Sequence, residues 1–203
     1  MAIILSGGGT ESSIKITKKF LSLVKGKKLI GVIANAREIG EYESTLNWVK
    51  SKLFPKNHKY TLKLIELNDV KLDAYDGIII SGGNTFKLLA DINKSNYREK
   101  LIEYIKSGKS IYGISAGAII MGANISTAYI TDKNKIKLDN LSGLNLFNGA
   151  SFMCHYKKSY SKEVKKYLSE KIPLIIAFPE GNGIIQTHNG EEEYVGNIFS
   201  FKS

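Results

Sequence analysis

The stretch SIYGISAGAIIM (110–121) decides the fold. Its first half is a short, uncharged, β-branched and aromatic run, the pattern of a strand buried on both faces. Its second half is a run of small and apolar residues that reads as a helix start. Between them stands Ser115, with Gly113 and Gly117 two residues away on either side. Gly113-Ile114-Ser115-Ala116-Gly117 matches the G-x-S-x-G nucleophile elbow, a sharp strand-to-helix turn that holds a serine hydroxyl exposed. Small neighbours are needed there because a Cβ at 113 or 117 would meet the adjoining strand or helix. The helix that follows aims its positive end at developing negative charge, and the Ala116 N–H is placed to donate to an oxyanion. The structural alternative is a tight turn whose serine merely caps the helix.

Working outward, similar apolar runs occur at AIIL (2–5), KLIGVIA (28–34), TLKLIEL (61–67), DGIIISGGN (76–84) and PLIIAFP (173–179). Helical spacing of apolar residues lies between them, over 13–24 with Ser12 or Ser13 as cap, 44–54 capped by Ser44, 97–107 stopped by Gly108, and 161–169. Strands alternating with helices of about ten residues predict one α/β domain over 1–203, a mostly parallel sheet covered by helices on both faces. Residues 131–148 are the least periodic and read as an irregular or β-hairpin excursion, with DKNK as a turn.

The 203 residues suit a single core. The formal charge of +10 comes from lysines scattered over many segments, and no nucleic-acid-binding signature accompanies it. No apolar stretch approaches about 18 residues, and the N-terminus lacks a basic leader, so neither a membrane span nor a signal peptide is expected. The single cysteine, Cys154, fits a reducing, cytoplasmic setting. No His/Asp/Cys cluster has ligand spacing, so no metal or other cofactor is expected.

Two further loops at strand ends carry glycine. SGGGT (6–10) follows the first strand and matches neither a Rossmann nor a Walker A fingerprint. In IIISGGNTFKLL (78–89), Gly82 and Gly83 allow backbone amides to converge, Asn84 can donate and accept, and Thr85 reads as a helix cap. A serine nucleophile needs a base. Of three histidines, His58 and His188 sit in polar connections, whereas His155 stands where an apolar run opens into a basic segment. His155 is the best base. The carboxylate that orients it is open among Asp132, Asp139, Glu163 and Glu180. Arg37, just beyond the second strand, is a candidate clamp for an acidic substrate group, and Arg98 is expected to face solvent.

Together, SGGNTFKLL (81–89), YGISAGAIIM (112–121), GLNLFNGASFMCHY (143–156) and AFPEGNG (177–183) resemble peptidase family S51, whose members include aspartyl dipeptidases and the more distant cyanophycinases. The resemblance implies a class I glutamine-amidotransferase-like three-layer sandwich. It implies Ser115 as nucleophile, His155 as base, and the N–H groups of Gly83 and Ala116 as oxyanion donors. It prefers Asp132, in YITD, as the acid, while the cyanophycinase-like branch points to Glu180. The implied activity is metal-free hydrolysis of dipeptides with an N-terminal aspartate, by a monomer or homodimer whose partner is a small peptide substrate rather than nucleic acid or membrane. The alternatives are a cyanophycinase-like hydrolase of β-aspartyl peptides and a non-catalytic α/β binding module.

Overall fold

The computed structural model describes residues 2–9, 13–26, 28–54, 59–68, 71–187 and 189–203. Ser12, His58 and His188 lie outside the described residues. In chain order the elements are β1 (Ala2–Ser6), α1 (Ile14–Leu23), β2 (Leu29–Ile33), α2 (Tyr42–Trp48), β3 (Thr61–Leu64), β4 (Gly77–Ile80), α3 (Thr85–Lys94), α4 (Tyr97–Lys106), β5 (Ser110–Ile114) and α5 (Ala116–Ile119). There follow β6 (Ala150–Met153), α6 (Ser161–Lys165), β7 (Leu174–Ala177), β8 (Gly183–Thr187), β9 (Glu192–Val195) and β10 (Phe199–Lys202).

The main sheet runs in the order β3-β2-β4-β5-β1-β8-β9. The strands from β3 to β1 are parallel, and β8 and β9 add an antiparallel edge. Alternate side chains of each parallel strand enter opposite cores, as the two-residue period of a strand requires. Ile4, Ile30, Val32, Ile79 and Tyr112 pack with Ile16 and Phe20 of α1 and Leu46 of α2. Ile3, Leu5, Ile78, Ile80 and Ile111 pack with Phe86 and Leu89 of α3, Leu101 and Tyr104 of α4, and Ala118 of α5. Helices therefore cover both faces, as the continuous apolar runs predict.

A second sheet, β10-β7-β6, joins at the side of α5. Phe152 of β6 is fully buried, with its ring 4.9 Å from Phe147 edge-on and 5.7 Å from Phe178. It packs into the same core as α3 and α5, which ties the small sheet to the large one.

Several local expectations change. Of the two forms expected for 131–148, the irregular one is found and the hairpin is not; a bridge between Asn124 and Ser142 ties the segment down. Helix α2 begins at Tyr42 rather than Ser44, whose hydroxyl donates to the Glu41 carbonyl at 2.8 Å. Helix α3 is capped by Asn84, not Thr85, through Lys87 N–H donating to Asn84 Oδ1 at 3.0 Å. Arg98 does not point idly into solvent. Its Nη1 and Nη2 donate to the carbonyls of Gly143 and Ser142, each at 2.6 Å, and fasten the irregular segment to α4. Among the described residues, no helix is long and apolar enough to cross a membrane.

Phe152→Ala should cost about 3–5 kcal/mol of stability, the usual penalty for emptying a buried aromatic site. Urea unfolding monitored by circular dichroism measures it. A loss below about 1 kcal/mol would mean that Phe152 does not join the two sheets.

Candidate active site

Register places the site before any side chain is considered. In the parallel β4–β5 pair, Ile80 stands opposite Gly113. Gly83, three residues beyond Ile80, and Ser115, two beyond Gly113, therefore emerge at the same strand end. In the parallel β6–β7 pair, Met153 stands opposite Ala177. His155 and Glu180 follow these partners by two and three residues, so they too share one end. Ligand sites of open α/β sheets lie at such carboxyl ends.

Ser115 has φ 52° and ψ −111°, the strained geometry of an elbow, and makes no side-chain capping bond to its helix. The capping alternative is thus excluded. Its Oγ lies 2.7 Å from His155 Nε2. His155 Nδ1 lies 3.0 Å from Glu180 Oε1. The bond to the carboxylate puts the ring proton on Nδ1 and leaves Nε2 free to accept from the serine. Glu180 is 60% exposed, so it serves to orient the ring; solvent screens most of its energetic contribution.

Asp132 is not on this histidine. Its Oδ2 accepts from Thr85 N at 2.8 Å and Thr85 Oγ1 at 2.6 Å, at the first turn of α3. That turn offers unpaired N–H groups that attract a carboxylate. Asn84 is likewise committed: besides its cap, its Nδ2 donates to the Lys133 carbonyl at 2.9 Å. Segment 132–133 thereby braces the loop that carries Gly83. Neither Asp139 nor Glu163 belongs to the cavity at Ser115.

The Gly83 N–H has no acceptor among the described residues. Ala116 opens α5, where an N–H has no intrahelical partner. Gly83 has φ 151°, and a Cβ there would fall 2.3 Å from the Ala36 carbonyl oxygen, so only glycine lets this loop lie down beside β2. Gly82 passes over Ser115, and a Cβ there would approach Ser115 Cβ at 3.1 Å.

The first glycine loop is part of the scaffold. Gly7 O accepts from His155 N at 3.1 Å, Gly8 O accepts from Gly181 N at 2.8 Å, and Gly7 N donates to Asn182 O at 2.9 Å. The loop thus grips the histidine and the turn bearing Glu180 together. Gly8, at φ 96°, lies so close under the imidazole that a Cβ would meet His155 Cε1 at 2.3 Å. His155 itself is held at φ 53°, uncommon for a residue with a side chain.

The cavity around Ser115 measures about 750 Å³. Sequence reasoning missed one wall of it. Glu41, Ser44, Thr45 and Trp48 face it from α2, at the three- and four-residue spacing of one helix face. That spacing was visible, but a polar stripe does not announce whether solvent or a cavity lies opposite. Arg37 lines the rim, with Nε donating to the Gly82 carbonyl at 3.3 Å. Cys154 sits beside the elbow, with Sγ 3.5 Å from Ser115 O. Burial pushes its thiol well up, the Asp132 charge adds to this, and the thiol stays protonated. Among the described residues, no cluster of three or more His, Cys, Asp or Glu is arranged to hold a metal.

Gly8→Ala should shift the imidazole while leaving the fold intact. Labelling of Ser115 by a serine-directed phosphonate should slow about 100-fold, because near-ångström misplacement of a reacting group costs that much. Mass spectrometry of the adduct over time checks this. Native labelling kinetics in Gly8→Ala would show that the ring does not rest on Gly8.

The sequence model of peptidase family S51 matches residues 2–191. An uncharacterized peptidase of Listeria monocytogenes is 36% identical over 115 residues, 55% of this chain and 56% of that one. One from Listeria innocua is 29% identical over 109 residues, 53% and 52% of the two chains. The chain thus spans about half the length of these two curated relatives. Peptidase E of Haemophilus influenzae is 25% identical over 205 residues, covering 93% of this chain and 89% of its own. A crystal structure of a Listeria monocytogenes protein assigned provisionally to peptidase E superposes with TM-score 0.70 at 21% identity, covering 100% of this chain and 98% of that one. The peptidase of an acI-B1 Actinobacterium gives 0.66 at 17%, with 98% and 96% covered, and both likenesses bear on the fold alone. With the family match running almost end to end over a sheet that presents the serine elbow, the chain belongs to peptidase family S51.

Proposed function

We propose that the protein is a serine peptidase of short peptides that works through Ser115, His155 and Glu180. The observation that carries this reading is the 2.7 Å contact between Ser115 Oγ and His155 Nε2 on a strained elbow whose serine caps nothing. His155 Nε2 takes the proton as Ser115 Oγ attacks the scissile carbonyl carbon. The carbonyl oxygen becomes an oxyanion and accepts from the N–H groups of Gly83 and Ala116. The C–N bond then breaks, and the imidazolium returns its proton to the leaving amine. Water, deprotonated by the same nitrogen, attacks the acyl-enzyme ester and frees Ser115. Glu180 keeps Nδ1 protonated and holds the ring in line with Ser115.

The substrate class we infer is a dipeptide with an N-terminal aspartate. Several relatives are called peptidase E, and among the described residues Arg37, exposed at the rim, is the guanidinium that lines the cavity. A β-carboxylate is the kind of group a guanidinium recognises. Hydrolysis of β-aspartyl peptides is a second reading. It is favoured by one observation, the glutamate rather than an aspartate at His155, which the cyanophycinase-like branch shares.

Ser115→Ala should lower kcat on Asp-Leu by about 10⁴-fold or more, and Glu180→Gln by about 10²- to 10⁴-fold. Steady-state hydrolysis of Asp-Leu, Ala-Leu and β-Asp-Leu measures both effects and ranks the substrates. Native turnover in Ser115→Ala would end the serine mechanism. Faster cleavage of β-Asp-Leu than Asp-Leu would favour the second reading.

A further inference from the structure

Asp132 was left without a role in the reaction once Glu180 occupied His155. It nonetheless lines the cavity, half-buried, beside Gly83 and Ser115. Only one of its oxygens is used: Oδ2 holds Thr85, whereas Oδ1 has no donor among the described residues. Its charge adds to burial in raising the thiol of Cys154, which sits beside the elbow.

We propose that Asp132 is the anchor for the substrate's α-ammonium group, and so the residue that confines cleavage to the N-terminal peptide bond. The assignment rests on the serine-peptidase reading above. In an N-terminal residue, one carbon separates the ammonium nitrogen from the scissile carbonyl carbon. The partner of that ammonium must therefore stand next to the oxyanion site. Asp132 lines the same cavity as Gly83 and Ser115, and Thr85, which it grips through the backbone, is two residues from Gly83. The other carboxylate lining the cavity, Glu41, is exposed, and its Oε2 already accepts from Glu38 N at 3.1 Å. An exposed carboxylate attracts an ammonium weakly, while a half-buried one is screened less. The cavity then has two poles, Arg37 positive and Asp132 negative. An aspartyl dipeptide carries the matching pair, a β-carboxylate and an ammonium, so its first residue is oriented at both ends.

The test compares Asp-Leu with succinyl-leucine, which is the same molecule without its amino group. The readout is the ratio of kcat/KM for the two. The native enzyme should favour Asp-Leu by about 30-fold or more, the scale of one charge-assisted contact. Asp132→Asn keeps an oxygen for the Thr85 N–H and should bring the ratio to within about threefold of one. Glu41→Gln should leave the ratio as in the native enzyme, and Arg37→Ala should slow both substrates together. A native ratio near one overturns the proposal, whatever the variants do. So does a ratio preserved in Asp132→Asn, even if both rates fall, because that is the behaviour of a brace. Collapse of the ratio in Glu41→Gln would move the anchor to α2 and overturn it as well. If the native enzyme cleaves neither compound, the aspartyl-dipeptide reading on which the proposal rests fails, an outcome distinct from equal cleavage of both.

Discussion

A Cβ on Gly117 would stand 2.2 Å from the Ile80 carbonyl oxygen, and one on Gly113 would stand 2.5 Å from the Gly117 carbonyl oxygen. This backbone-to-backbone approach of α5 onto the end of β4 is the constraint on which the site depends. It forces the chain to turn within one residue, and Ser115 absorbs the turn in a conformation that costs about 1–3 kcal/mol. The strain is sustained because the surroundings over-determine it. Ser115 N donates to the Ser6 carbonyl at 3.0 Å, and Ala118 and Ile119 both donate to the Ser115 carbonyl.

The rest of the centre is assembled by register rather than by proximity in sequence. His155 comes from the small sheet, Ser115 from the large one, and Glu180 from the turn after β7. The SGGG loop after β1 is the clasp between these parts, bonded to the histidine backbone and to the glutamate's turn. Ser115 and His155, both at positive φ, show how much local conformational preference is overridden to bring the two side chains together.

The parallel core was legible because β1, β2, β4 and β5 are buried on both faces and read as unbroken apolar runs. Strands β9 and β10 were not, since EEYV is exposed except at Val195 and FSFK alternates half-covered phenylalanines with exposed polar residues, so both resemble loop sequence. Ser115 and His155, which the structure brings into contact, were legible from type and neighbours. The carboxylate beside the imidazole was not. Asp132 and Glu180 each follow an ordered segment, and only the Met153–Ala177 pairing decides which reaches the imidazole. Arg98 was misread for a similar reason: its carbonyl partners, 44 and 45 residues away, leave no local signature. The net charge of +10 gave no warning that two acids, Glu41 and Asp132, line the cavity.

A crystal structure of the Ser115 phosphonate adduct puts a phosphoryl oxygen in the place of the oxyanion. In it, phosphorus should be bonded to Ser115 Oγ, the phosphoryl oxygen should lie about 2.7–3.1 Å from both the Gly83 and Ala116 nitrogens, and His155 should still stand between the adduct and Glu180. An adduct whose phosphoryl oxygen turns away from Gly83 and Ala116, or a histidine that leaves Glu180 for Asp132, would contradict this arrangement.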